Sequence, residues 1–185
     1  MNDYVNQLKL TDSYSVNGIQ TAKGTFSFPE NDPASLGWAG VGQGEDLVNP
    51  ASMMIWMGAL GNGGRAVTPQ IVSGVKTNGD FPLSLYIPKW NKKLVGGDTA
   101  EELTAMMRNN VVNNYGDGNF PGLTVCAKSG TAEVGDGTSH AWFAGFLDDP
   151  DHPYAFIVLV EHGGGGAKVA GPVANTVLQS VIENE

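Results

Sequence analysis

Cysteine, basic residues and long apolar runs are all scarce in this 185-residue chain. Its single cysteine, Cys126, has no second cysteine to pair with, which excludes an internal disulfide. No segment approaches the ~18 apolar residues that a membrane-spanning helix needs, and residues 1–4 lack the basic and apolar regions of a signal peptide. We therefore expect the chain itself to be soluble and to make no membrane contact.

Basic residues number 10 against 19 acidic ones, so the formal net charge is −9. An acidic domain repels phosphate backbones, which argues against nucleic-acid binding. Hydrophobic residues make up 41% of the chain and charged residues 16%, and there are 26 glycines. This composition favours a loop-rich, folded, enzyme-like domain over a disordered or coiled-coil chain.

Local patterns divide the chain into an irregular N-terminal stretch, 1–40, and a patterned part, 41–185. Residues 1–10 are weakly helical, whereas 11–40 are rich in Ser, Gly, Asn and Pro and have no sustained period. Such a long irregular segment is uncommon inside a compact domain. Two explanations stay open: the stretch is functional, or it has lost the partner on which it packs.

Three helices are predicted in the patterned part. Asn49 is a good N-cap for a helix over 50–60, which is apolar nearly all round and should be buried. Thr99 and Glu102 form a capping box for a second helix, over 99–112. The third helix carries valines four residues apart, and we expect this stripe to pack on a sheet: Val169, Val173, Val177 and Val181.

Four strands are predicted, three of them consecutive near the C-terminus: 68–75, 123–133, 139–147 and 154–161. The turn Asp148–Asp151 joins the last two. The run Ala155–Val160 is apolar on both faces, which is typical of a central strand covered on both sides. The predicted fold class is therefore α/β, with an antiparallel sheet flanked by helices.

One strand carries the residues best suited to chemistry, Lys128, Ser129, Gly130 and Thr131. Side chains alternate along a strand, so Lys128 and Gly130 should face one way and Ser129 and Thr131 the other. Gly130 lets a ligand approach the backbone closely, and an edge strand can pair with an extended peptide. The two hydroxyls can hydrogen-bond a carboxylate, and Lys128 supplies positive charge in an acidic protein.

The string Lys128-Ser129-Gly130-Thr131 resembles the third signature of the serine acyl-transferases that bind penicillin. The surrounding order resembles class B penicillin-binding proteins in particular, although Asn49 stands where the family usually has Thr. The segments that carry the resemblance are Gly42-Gln43-Gly44, Asn49-Pro50, Asn62-Gly63-Gly64, Pro69, His140–Phe146 and Val160-Glu161-His162.

This resemblance implies the C-terminal part of a β-lactamase-like transpeptidase domain, with 1–40 as the remnant of its upstream part. The parent protein would be a peptidoglycan D,D-transpeptidase at the outer face of the bacterial cytoplasmic membrane, with stem peptides and β-lactams as ligands and no cofactor. By resemblance, Lys128 would assist the active-site hydroxyls, and Ser129, Gly130 and Thr131 would bind the substrate carboxylate. The amide of Thr131 would be an oxyanion donor, and Lys128 and Thr131 are thus the implied catalytic residues.

The family also needs Ser-x-x-Lys on a helix and Ser-x-Asn on a loop. Ser73 and Lys76 fit the first string, but they lie in a predicted strand and follow the Gly-Gln-Gly segment, whereas the family's nucleophile precedes it. Ser15 and Asn17 fit the second, too close to Gly42. We therefore expect the nucleophile and the missing N-terminal part of the domain to lie upstream, and the isolated chain to be inactive.

One alternative is a free-standing, non-catalytic ligand-binding or interaction module. The related sensor or β-lactamase branches are another, but the segment from Gly-Gln-Gly to Asn-Gly-Gly favours the transpeptidases over them. We predict no metal site, because the three histidines lack suitable spacing and there is no cysteine cluster. We expect Cys126 to be a small buried hydrophobe, Gly163–Gly166 to be a hinge and His140 to face the cleft or the sheet edge.

Overall fold

The computed structural model of the chain describes residues 2–29, 31–85, 87, 89–135 and 137–184. Five α-helices lie within these residues: α1 (Asn2–Gln7), α2 (Pro33–Gly40), α3 (Pro50–Gly61), α4 (Gly97–Asn110) and α5 (Gly166–Glu183). The strands are β1 (Ser15–Val16), β2 (Ile19–Gln20), β3 (Arg65–Val67), β4 (Gly74–Lys76), β5 (Pro82–Leu85), β6 (Trp90–Lys93), β7 (Val125–Ala132), β8 (His140–Leu147) and β9 (Ala155–Val160).

The main sheet is antiparallel and has the order β7-β8-β9, as the turn signals between its strands predict. The expectation that 155–160 is central was wrong, because β8 is the middle strand and β9 lies at the outer edge. Helices α3 and α5 both pack against β9. Burial on both faces explains why an edge strand is apolar throughout.

Helices cover both faces of this sheet, which confirms the predicted α/β fold. On the α5 face, Val125 and Phe143 are completely buried in the larger core, together with Leu178. On the opposite face, Met57 of α3 and Met107 of α4 pack with Cys126, Ala144 and Phe146. Neighbouring residues of β7 thus contribute to different cores, as the two-residue period of a strand requires.

Of the four valines predicted to pack on the sheet, Val169 does pack against the larger core, but the other three do not form the buried face of α5. Val173, Val177 and Val181 are 44%, 53% and 40% exposed. The buried stripe consists mostly of small residues at the same spacing of four, displaced by one position: Gly166, Ala170, Ala174 and Leu178. Spacing alone cannot distinguish parallel stripes on one helix, and the close approach of α5 to the sheet selects glycine and alanine over valine.

Helix α3 begins as predicted, because the side chain of Asn49 accepts a hydrogen bond from the backbone N–H of Ala51 at 2.8 Å. Helix α4 does not begin at a capping box: it starts at Gly97, two residues before Thr99, and its N-cap Gly96 makes no side-chain cap. It also continues past the predicted end, as a π-helical segment, Val111–Gly116, and a 3₁₀ turn, Asp117–Asn119.

The strand predicted over 68–75 is mostly absent, because β3 ends at Val67 and only the last two residues of that range belong to a strand, β4. Strands β3 and β4 pair with different partners. Pro69 has no backbone N–H to give to a ladder. The N–H groups of Ile71 and Val72 donate instead to the side-chain oxygen of Asn17, at 2.8 and 3.3 Å. A distant side chain therefore takes the place of a paired strand.

The stretch 11–40 is less irregular than expected. It contains the β1-β2 hairpin and helix α2, whose N-cap Asp32 accepts hydrogen bonds from the N–H groups of Ala34 and Ser35. The hydroxyl of Ser35 also donates to Asp32, and this hydrogen bond is the main cause that lowers the pKa of the carboxyl group. Asp32 followed by Pro33 is a start signal for a helix that the sequence reading overlooked.

Candidate active site

Strand β7 presents the Lys128–Thr131 motif at one edge of the main sheet. Ser129 lies opposite Phe143, so its side chain points toward the α5 face, and Thr131 follows on the same face. Lys128 and Gly130 face the side of α3 and α4. The alternation and the edge position both match the sequence prediction.

The outward backbone groups of β7 are met by three segments that are distant from one another in sequence. Arg108 donates to the carbonyl of Val125 at 3.2 Å, and the backbone N–H of Ser129 donates to the hydroxyl oxygen of Tyr115 at 3.0 Å. Gln43 donates through its amide nitrogen to the carbonyl of Thr131 at 3.1 Å. In an antiparallel strand, the N–H and C=O of one residue point to the same side, so the N–H of Thr131 also faces this edge.

The polar side chains of the motif have partners within the chain. Thr131 Oγ1 accepts a hydrogen bond from the backbone N–H of Gly166 at 3.3 Å, and Ser129 Oγ lies 3.1 Å from Tyr115 Oη. The ammonium of Lys128 donates to the carbonyl of Ser129 at the same edge. Because Thr131 Oγ1 accepts from Gly166, its own hydrogen remains available to a ligand carboxylate.

The first residue of α5 lies directly on the motif strand. A Cβ atom added to Gly166 would be 2.3 Å from the carbonyl oxygen of Gly130 and 2.6 Å from that of Trp142. Only glycine allows this approach, which brings the Gly166 N–H to the Thr131 hydroxyl. The sequence reading assigned the 163–166 run to a hinge and did not identify this contact.

A groove of about 700 Å³ runs beside the motif on the α3 and α4 side. Its far wall consists mainly of apolar side chains from these two helices: Met53, Met57, Leu60, Leu103, Met106 and Met107. Met106 is 61% exposed there. The sequence predicts a buried helix here, and Met57 of α3 is buried, but Met53 also lines this groove and Met54 is 41% exposed.

Asp46 also lines this groove, and no sequence pattern singles it out. Its Oδ1 accepts a hydrogen bond from the N–H of Ser27 at 3.3 Å, while its Oδ2 is buried and has no partner within the described residues. Burial raises the pKa of this carboxyl group. The groove therefore carries an acidic group as well as the Lys128 ammonium.

The two strings that fit the missing signatures lie in other surroundings. Ser73 precedes β4, and Lys76 forms an exposed ion pair with Asp80 at 3.9 Å, so neither residue is on a helix. Ser15 is in β1, and Asn17 has a φ of +48° in the turn that follows. The side chain of Asn17 holds the backbone of 71–72, which is a structural role.

Histidine and cysteine residues show ordinary structural contacts. His140 Nδ1 accepts a hydrogen bond from the N–H of His162 at 3.0 Å, and the side chain of His152 lies 3.0 Å from Asp149. Cys126 is completely buried, and burial raises its pKa to about 11. In the part of the chain that the structure describes, no group of three or more His, Cys, Asp or Glu could hold a metal ion.

Sequence comparison decides the family. The family model of the penicillin-binding protein transpeptidase domain matches residues 1–179. The chain belongs to this family. The peptidoglycan D,D-transpeptidase PbpA of Mycobacterium tuberculosis is 27% identical over 176 residues, which are 90% of this chain and 36% of PbpA. PbpA of Mycolicibacterium smegmatis is 27% identical over 173 residues, with 89% and 35% covered.

Solved structures agree with this assignment. The imipenem acyl-enzyme complex of penicillin-binding protein A from M. tuberculosis has a TM-score of 0.86 at 26% identity, covering 97% of this chain and 41% of that one. The chain thus spans little more than a third of the curated relatives' length. Among the described residues, no helix is both long and apolar enough to span a bilayer.

Proposed function

We propose that these residues form part of a peptidoglycan D,D-transpeptidase domain and supply the substrate-binding strand of its active site. The protein would act at the outer face of the cytoplasmic membrane on stem peptides that end in D-Ala-D-Ala. The nucleophilic serine would come from additional sequence of the same domain. The observation that carries this proposal is the edge of β7, where the outward amide of Thr131 lies next to the Lys128 ammonium and two hydroxyls.

The proposed chemistry is acyl transfer through a serine ester. The serine oxygen adds to the carbonyl of the penultimate D-Ala, the terminal D-Ala leaves with its amine protonated, and the amine of a second peptide then takes the acyl group. The N–H of Thr131 would donate to the oxyanion that forms at each addition. Loss of one such donor typically costs ~2.7–4 kcal/mol of transition-state stabilisation.

Carboxylate recognition is assigned to the other groups of the motif. The hydroxyls of Ser129 and Thr131 would donate to the terminal carboxylate of the peptide, or to the carboxylate of a β-lactam, and Lys128 would supply the positive charge. On the opposite face of the strand, Gly130 would leave the backbone without a side chain beside Lys128. The neighbours that carry β-lactams as acyl-enzymes support β-lactams as ligands of the complete domain.

The groove beside the motif supports the view that the domain is completed by further sequence. Several apolar side chains are exposed at or near it, Val41 by 71% and Met106 by 61%. A contiguous apolar surface of this kind usually marks a contact. We propose that the missing N-terminal part of the domain, which carries the nucleophile, packs on it.

Acylation by benzylpenicillin tests the proposal. The full-length protein encoded by the gene should gain the whole mass of the drug in intact-mass spectrometry, because the β-lactam ring opens without a leaving group. The 185-residue chain alone should gain nothing. An adduct on the isolated chain would refute the assignment of the nucleophile, and no adduct on the full-length protein would refute the enzyme assignment.

The alternative is a free-standing binding module without acylating activity. The observation behind it is that no Ser-x-x-Lys string lies on a helix in the described residues. Sequencing the coding DNA immediately upstream of Met1 separates the two proposals. An open frame with Ser-x-x-Lys and then Ser-x-Asn supports the transpeptidase, whereas a stop codon followed by a ribosome-binding site supports the module.

A further inference from the structure

The side chain of Tyr115 lies against the motif strand β7, although the residue belongs to the π-helical segment that follows α4. Its half-buried ring packs edge-to-face on Phe143, with ring centroids 5.5 Å apart and an interplanar angle of 73°. Phe143 stacks in turn on Phe120 at 5.8 Å. Because the ring is fixed by this aromatic cluster, the phenol oxygen has a defined position at the edge of β7.

Hydrogen bonds and an ion pair hold the segment that carries Tyr115 in place before and after this residue. Arg108 forms a bidentate ion pair with Asp117, at 2.6 and 2.9 Å, while it also donates to the carbonyl of Val125 in β7. Asn119 donates to the backbone carbonyl of Tyr115 at 2.7 Å. The π-helical segment is thereby tied to the strand at a point four residues from Ser129.

The phenol oxygen of Tyr115 contacts two groups of the same motif residue, the backbone N–H and the hydroxyl of Ser129. In the structure the Ser129 hydroxyl donates to the phenol oxygen. Both hydroxyl hydrogens can rotate, so Tyr115, which already accepts from the N–H, can instead donate its own hydrogen to Ser129 Oγ. A carboxylate can only accept, so an incoming carboxylate selects this arrangement, in which the hydrogen of Ser129 points to the ligand.

We propose that Tyr115 is a positioning residue, which orients the Ser129 hydroxyl as a donor to the substrate carboxylate. This inference rests on the proposed function. It also fixes the register of the ligand: because Tyr115 occupies the outward N–H of Ser129, a bound peptide can pair with the strand only from Thr131 onward. Tyr115 acts through Ser129 and does not itself touch the substrate.

The test uses the full-length protein and two probes, benzylpenicillin and its methyl ester, which lacks the carboxylate charge. We expect Tyr115→Phe to reduce the second-order acylation rate constant for the acid about tenfold, through weaker pre-acylation binding with the acylation step unchanged. The rate constant for the ester should change less than twofold. A general packing defect would slow acylation by both probes alike. The control variant is Tyr154→Phe, because Tyr154 packs on the same core at the far end of β8; it should leave both rate constants unchanged.

A double-mutant cycle with Ser129→Ala completes the test. If Tyr115 acts through Ser129, the double variant should acylate at the rate of Ser129→Ala alone. The positioning role would be overturned if the rate losses of the two single variants multiplied in the double variant. It would also be overturned if Tyr115→Phe slowed acylation by the acid and by the ester equally. A wild-type protein that is not acylated by benzylpenicillin would refute the proposed function itself, which is a different result from an acylated wild type that does not respond to Tyr115→Phe.

Discussion

Replacement of Gly166 by alanine is the sharpest test of how α5 supports the motif. The new Cβ would lie 2.3 Å from the carbonyl oxygen of Gly130, 2.6 Å from that of Trp142 and 3.0 Å from the nitrogen of Gly130. All three atoms belong to backbone of β7 and β8, so no flexible side chain can yield. The start of α5 must therefore withdraw by about 1 Å to restore ordinary contact, which lengthens its hydrogen bond to Thr131.

The expected loss of stability follows from two opposing terms. Overpacking of a close contact typically costs ~1–3 kcal/mol, and the higher helix propensity of alanine returns at most ~1 kcal/mol. A net loss of ~1–2 kcal/mol should lower the melting temperature of a protein of this size by about 2–8 °C. Urea unfolding followed by circular dichroism should show a lower midpoint with an unchanged slope.

Gly165→Ala is the matched control. An added Cβ at Gly165 meets nothing within 4 Å, and the residue has a φ of −75°, which alanine adopts readily. The loss of a favourable N-cap residue destabilises the variant, and the smaller conformational entropy of its unfolded chain stabilises it. These effects nearly cancel, so the free energy of unfolding should change by less than ~0.5 kcal/mol. If Gly166→Ala proves as stable as Gly165→Ala, the close approach of α5 to the motif strand is not a constraint.

Three further predictions test other parts of the structure, two with substitutions and one by chemical labelling. Gln43→Ala should speed acylation of the full-length protein about threefold, since it frees the Thr131 carbonyl for a ligand amide; slower acylation in stopped flow would contradict this. Cys126 should resist iodoacetamide at pH 8 in the native chain and react in urea, because its pKa is raised to about 11; equal labelling would contradict its burial. Arg108 lowers the pKa of Asp117 below its ordinary 3.8, so the ionised carboxylate stabilises the fold fully above about pH 5 and this contribution is lost as pH falls through the folded-state pKa. The stability difference between wild type and Asp117→Asn should therefore be constant above pH 5 and shrink in acid, and a difference that does not change with pH would exclude the ion pair.

The sequence predicted best those elements whose signals are local. The three C-terminal strands were placed within two residues of their ends, because apolar runs and the Asp148–Asp151 turn delimit them. Asn49 likewise marks the start of α3. These boundaries depend on a few neighbouring residues, whose preferences agree with the fold.

Predictions failed where a distant contact overrides the local pattern. In the strand expected over 68–75, the backbone at 71–72 bonds to the side chain of Asn17 and not to another strand. Three of the four valines of α5 are exposed, and small residues take the packed face because the sheet lies so close. Tyr115 and Gln43 reach the motif from segments without any sequence relation to it. Gln43 is marked in the sequence by the family resemblance of Gly42-Gln43-Gly44, whereas Tyr115 has only the neighbouring Gly116 as a local signal; all three glycines have positive φ.

The three contacts along the outer side of β7 also bear on how the protein avoids aggregation. An exposed strand edge is a template on which another chain can add a strand. Arg108, Tyr115 and Gln43 each occupy one of the outward groups from Val125 to Thr131, and the edge offers no continuous row for a foreign strand. A short ligand needs only a single residue of that edge, so the same arrangement can admit a peptide terminus while it discourages edge-to-edge association between copies of the protein.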